Sequence, residues 1–102
     1  MEERRRSWRT AIELDCLLHR RAGKQVQAHT VDLGPGGMRV HTERPLAVDE
    51  VLEFELPDRA RINGRVRVLR ELNYRVYALR FETLGDEARA EIAAVATPRE
   101  RT

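Results

Sequence analysis

The sequence predicts an all-β domain, a small barrel or sandwich, finished by one C-terminal helix. Two observations carry the prediction. Short runs from Ala11 to Glu82 alternate apolar and polar residues, broken by turns rich in Gly, Pro and Asn, which is the pattern of half-buried strands. After Gly85 the period changes, and Ala88, Ile92 and Val95 recur at helical spacing.

The elements follow in order. Residues 1–10 lack apolar periodicity and read as a flexible arm. Ile12, Leu14 and Cys16 alternate with Glu13 and Asp15 as a first strand, and His19 to Lys24, with Gly23, is a hairpin turn. In Gln25 to Leu33, Val26 and Ala28 share one parity while Val31 and Leu33 share the other, so a bulge is expected near His29 and Thr30. Gly34-Pro35-Gly36-Gly37 is the strongest loop signal, followed by a strand with Met38, Val40 and Thr42 inward. After a connection from Glu43 to Asp49, Val51 to Leu56 turns Leu52, Phe54 and Leu56 inward; Pro57-Asp58 is a turn. Ala60 to Arg70 sets Ile62, Gly64, Val66 and Val68 against arginines and Asn63. Glu71 to Asn73 is expected to turn, and Tyr74 to Glu82 is a last strand with Tyr77, Leu79 and Phe81 on one face. Asp86 is the expected N-cap of the helix, and Pro98 its stop. The domain plan is therefore one unit over 1–102: arm 1–10, β-structure 11–84 and helix 85–97.

Size and composition remove several function classes. A chain of 102 residues, 41% hydrophobic, supports one core and is too short for two domains with a cleft between them. No stretch approaches the ~18 apolar residues of a membrane span, and MEERRRSWRT has no apolar signal region. Cys16 is the only cysteine, which excludes a disulfide framework and a cysteine-based zinc site. A soluble cytoplasmic protein is expected. The net charge is only +2, yet Lys24 is the only lysine, so the other eighteen of the 19 basic residues are arginine. Scattered arginines such as Arg59 and Arg89 need no special role, whereas Arg4, Arg5, Arg6 and Arg9 form a dense cluster.

Enzyme readings find no support. His19, His29 and His41 lie far apart without cysteine or carboxylate at metal-ligand spacing and read as surface residues on strands. Ser7, the only serine, sits in the arm outside any nucleophile elbow, and Cys16 falls on the apolar parity of its strand. The Gly-rich turn neither opens a helix nor precedes Lys-Ser/Thr, so the phosphate-loop motif is absent. No catalytic residue, metal or cofactor is expected.

Two motifs remain: Arg5-Arg6-Ser7-Trp8-Arg9 before the first strand, and Asp32-Leu33-Gly34-Pro35-Gly36-Gly37 between the second and third. Each alone is weak. Together, on a small β-domain with a C-terminal helix, they resemble the PilZ family of bacterial cyclic di-GMP receptors. Arg5, Arg6 and Arg9 match that family's Arg-Arg-x-x-Arg; Asp32 and Gly37 match its Asp/Asn-x-Ser-x-x-Gly. Ile62-Asn63-Gly64-Arg65-Val66 and Tyr77-Ala78-Leu79-Arg80-Phe81 are similar to its later strands. Gly34 departs from the pattern by replacing the serine, and Ala78 stands where the family often has glycine.

The resemblance implies a six-stranded, mainly antiparallel β-barrel. It also implies a non-enzymatic receptor binding cyclic di-GMP through Arg5, Arg6, Arg9, Asp32, Gly34, Gly36 and Gly37, with the arm ordering around the ligand to engage an effector protein or domain. The chemistry suits the ligand. Guanidinium groups pair bidentately with phosphate and both pair with and stack on guanine. Asp32 would accept from guanine N–H groups, while Gly36 and Gly37 would permit positive φ and close backbone approach. The missing hydroxyl costs about 0.5–1.5 kcal/mol as a neutral hydrogen bond and about 1.5–3 to a charged group, so binding is expected to survive Gly34. The alternatives are a PilZ-like protein-interaction module without the ligand and a nucleic-acid-binding barrel with a basic tail. The low net charge and 5% aromatic content count against the latter.

Overall fold

Alternation along the chain closes into a cylinder. The structure, a computed structural model, describes residues 9–96. Its strands are β1 (Thr10–Ala11), β2 (Asp15–His19), β3 (Gln25–Leu33), β4 (Gly37–Thr42), β5 (Val51–Glu55), β6 (Asn63–Asn73) and β7 (Val76–Leu84), followed by helix α1 (Asp86–Ala96). Every pairing is antiparallel. The order β3-β2-β5-β6-β7-β4 returns to β3 through a β3–β4 pairing, giving a closed six-stranded barrel, and β1 extends the sheet along the far end of β3. Of the arm expected over 1–10, residues 1–8 lie outside the described residues, and Thr10 belongs to β1.

The inward parity builds the core. Cys16, Leu18, Val26, Leu33, Met38, Val40, Leu52, Phe54, Val66, Val68, Tyr77 and Leu79 are buried from all six barrel strands, joined by Leu56 and Ile62 beside the β5–β6 turn. Each fully buried aliphatic side chain stabilises the fold by roughly 1.5–3 kcal/mol relative to exposure. The helix lays Ala88 and Ile92 into this core. The Arg89 N–H donates to Gly85 O at 3.0 Å, so Gly85 occupies the cap position. Asp86 and Glu87 sit in the first turn, where their charge favours the helix dipole. Pro98 lies outside the described residues.

Two polar residues inside the barrel are satisfied. Thr30 Oγ1 accepts from Leu14 N–H at 2.8 Å and donates to Ile12 O at 2.5 Å. Thr42 Oγ1 donates to Arg44 O at 2.6 Å. The Thr30 hydroxyl takes the place of a ladder partner for the segment between β1 and β2, so the single strand predicted over this region is interrupted at 12–14. The expected parity switch is present as a register shift between Thr30 and Asp32. It leaves Val31 at 41% exposure rather than beside Leu33 in the core.

The β6–β7 hairpin also differs from expectation. Residues 71–73 continue β6, and the tip is Tyr74–Arg75. Arg75 adopts φ 59°, its N–H donating to Glu71 Oε2 at 2.9 Å and its guanidinium to Glu43 O at 2.6 Å. Tyr74, expected to open the last strand, is 76% exposed beneath the Arg75 guanidinium.

Candidate ligand-binding site

Register assembles the site. Thr10 pairs with Leu33 and Ala11 with Asp32, which brings the residue just before β1 to the Gly-rich turn. Arg9 Nη1 lies 3.4 Å from Asp32 Oδ1. From the other side, β4 pairs Arg39 with Asp32, and Arg39 Nε lies 3.6 Å from Asp32 Oδ2. The Asp32 side chain is 13% exposed, against 35% for Arg9 and 45% for Arg39. One shielded carboxylate therefore holds two accessible guanidinium groups beside the turn.

The turn itself is pinned. Gly34 N–H donates to Gly37 O at 2.9 Å, and Phe81 N–H donates to Gly36 O at 3.0 Å. A Cβ on Gly37 would land on the Leu79 carbonyl oxygen, so glycine here permits close approach of β4 to β7. Gly23 is the glycine at positive φ among the described residues. The positive φ expected at Gly36 and Gly37 is thus not used: Gly37 is needed for strand packing, and Gly36 stands exposed at the turn.

Among the sequence-predicted site residues, Arg9, Asp32, Gly34, Gly36 and Gly37 come together, while Arg5 and Arg6 lie outside the described residues. Arg39 lies outside both sequence motifs. The signal was present: a four-residue turn at 34–37 makes Leu33 and Met38 partners and therefore Asp32 and Arg39 partners.

Elsewhere the polar side chains pair with one another. His19 Nε2 and Glu55 Oε2 are 2.7 Å apart, and the His29 and His41 rings stack with centroids 5.2 Å apart. Among the described residues no group of three or more His, Cys, Asp or Glu could hold a metal ion. Burial, and secondarily Glu55, pushes the Cys16 thiol up to about 12. Cavities of about 410 and 430 Å³ lie over β2, β5 and β6 and share His19, Glu53 and Arg65. Neither includes Arg9, Asp32 or the turn.

The chain belongs to the PilZ domain family, whose family model matches residues 3–96. Comparison with curated proteins finds no match. PilZ domains are binding domains of the cyclic di-GMP receptor family rather than enzymes. No helix among the described residues is long and apolar enough to cross a membrane.

Proposed function

We propose that this chain is a cyclic di-GMP receptor that binds the ligand between its arginine arm and the 34–37 turn and relays the signal by ordering the arm. The observation that supports this best is the Arg9–Asp32 pair, 3.4 Å apart. It sets one arginine of the arm motif beside the acidic residue of the second motif within the fold itself. Preorganisation of this kind lowers the ordering cost of binding. Arg5, Arg6 and Arg9 supply cations for the two phosphates, Asp32 an acceptor for guanine N–H groups, and Gly36 an exposed stretch of backbone.

Titration calorimetry with cyclic di-GMP, using GTP and single-stranded DNA as controls, tests the reading. Saturable binding of cyclic di-GMP alone supports it, and silence at near-millimolar ligand rejects it. Emission of Trp8, the only tryptophan, and protection of the arm from trypsin would report the relay. A protein-interaction module without the ligand is the second reading, favoured by the absence of a hydroxyl at Gly34.

A further inference from the structure

The outer face of β4, β7 and β6 carries two rows of paired residues beside this site. In one, Arg39 lies opposite Ala78 and Ala78 opposite Arg70; in the other, Gly37 lies opposite Arg80 and Arg80 opposite Arg67. Adjacent strands are ~4.8 Å apart, so Arg39 and Arg70 flank Ala78 with their Cα atoms roughly 10 Å from each other.

Arg70 reaches this face only because the strand is irregular. Val68 pairs with Leu79, and regular pairing would continue with Leu69 opposite Ala78 and Arg70 opposite the buried Tyr77. Instead the register shifts and Arg70 pairs with Ala78. The extra residue, Leu69, is left 43% exposed. The bulge thus places a cation outward at the cost of exposing a leucine, and bulges commonly re-aim side chains in this way.

The surface is also short of counter-charge. Arg67 and Arg80 stand directly opposite each other, an arrangement that is unfavourable for like charges. A single carboxylate, Glu82, accepts from both at 2.9 Å. Arg70 has no ion-pair partner among the described residues.

We propose that Arg70 and Arg80 form the far wall of the ligand site, with Ala78 as its floor, and that Arg80 exchanges Glu82 for a phosphate of the ligand. This rests on the receptor reading and extends it from the arm and turn to three barrel strands. The small Ala78 side chain leaves a slot between Arg39 and Arg70, and a guanine lying in it stacks on guanidinium planes. Such a wall adds ligand contacts at a site whose turn lacks a hydroxyl at Gly34.

The test is calorimetry of the full chain with cyclic di-GMP in five variants. Arg80→Ala should weaken binding about ten-fold or more, as expected for loss of a charge-assisted hydrogen bond, and Arg70→Ala about five-fold or more, as expected for loss of a guanidinium stacked on a ring. Arg21→Ala, at the opposite end of β3 from Asp32, should stay within about two-fold, since distant surface charges are screened. Glu82→Gln frees Arg80 and should tighten binding, a change of sign that misfolding cannot imitate. Arg9→Ala tests the receptor reading separately. If Arg9→Ala weakens binding while Arg70→Ala and Arg80→Ala behave like Arg21→Ala, the wall is wrong and the receptor stands. If the unaltered chain does not bind, both fall.

Discussion

Arg39 and Asp32 face each other across β3 and β4, with Nε 3.6 Å from Oδ2. The same carboxylate holds Arg9 from the other side. Arg39→Ala should therefore weaken cyclic di-GMP binding and leave the fold nearly untouched. Solvent-accessible ion pairs contribute about 0–1 kcal/mol, so the urea midpoint should barely move. Asp32→Ala should do more harm to binding, because it removes the proposed guanine acceptor and releases both arginines. Calorimetry beside denaturation separates the two effects, and a large stability loss in Arg39→Ala would contradict the assignment.

Gly34→Ser should tighten binding by roughly three-fold or more, the worth of a recovered hydrogen bond. Gly34 is not among the residues at positive φ, and it precedes Pro35, which favours extended backbone that accepts a side chain. The melting temperature should hold. A lower melting temperature with unchanged affinity would mean that the buried position has no room for serine.

Gly37→Ala should be among the most damaging single changes in the barrel. The added Cβ collides with the Leu79 carbonyl and lies 3.2 Å from the Arg80 Cα, both backbone atoms that yield only if β4 and β7 separate. Overpacking of this kind costs about 1–3 kcal/mol and occasionally more. Chemical denaturation measures it, and Gly36→Ala, where nothing lies within 4 Å, is the matched control.

Acid should reveal Glu82. Hydrogen bonds from Arg67 and then Arg80 pull its carboxyl from the usual 4.5 down to about 2. In the unfolded chain the group takes up its proton near 4.5, whereas the folded protein resists until about 2. Its contribution is therefore fully present above pH 4.5 and is lost as the pH falls toward 2. Glu50, held low chiefly by Arg20, acts in the same direction. Urea midpoints taken between pH 5 and 2 should fall less steeply in Glu82→Gln than in the unaltered chain. Parallel curves would show that the Arg67–Glu82–Arg80 bridge is not kept in solution.

Cys16 should ignore thiol reagents while the protein is folded. It is 1% exposed, and its thiol is pushed up to about 12, so the thiolate that reacts is scarce. Labelling at pH 8 should appear only with denaturant, at the rate of unfolding. Rapid labelling of the folded chain would show that β2 opens locally.

The sequence made the core legible because period two is a direct consequence of the pleat. Leu52, Phe54, Val66, Val68, Tyr77 and Leu79 lie inward as their parity predicts. Irregularities were harder. The bulge at Leu69 inserts one residue into β6 without interrupting its run of strand-forming residues, so nothing in the local pattern announces it. Residues 71–73 suggested a turn because Asn73 favours one, yet the chain reverses at Tyr74–Arg75, with Arg75 in a left-handed conformation that arginine rarely takes. The glutamate and carbonyl contacts that hold Arg75 come from Glu71 and Glu43, one of them distant in sequence. The candidate site divides along the same line. Arg9 and Asp32 are visible as motif residues, whereas Arg39, Arg70 and Arg80 acquire meaning only once strand register places them on one face.

Closure of β3 onto β4 decides how this domain can speak to other molecules. Strand addition needs an unpaired edge, and the closed barrel withholds one; along the described chain, only the two-residue β1 lies outside the ring. A companion protein therefore meets side chains instead of main-chain donors and acceptors. Its recognition is written in the outward parity of the strands, where substitutions leave the core intact, so such barrels can exchange companions in evolution without rebuilding their interior.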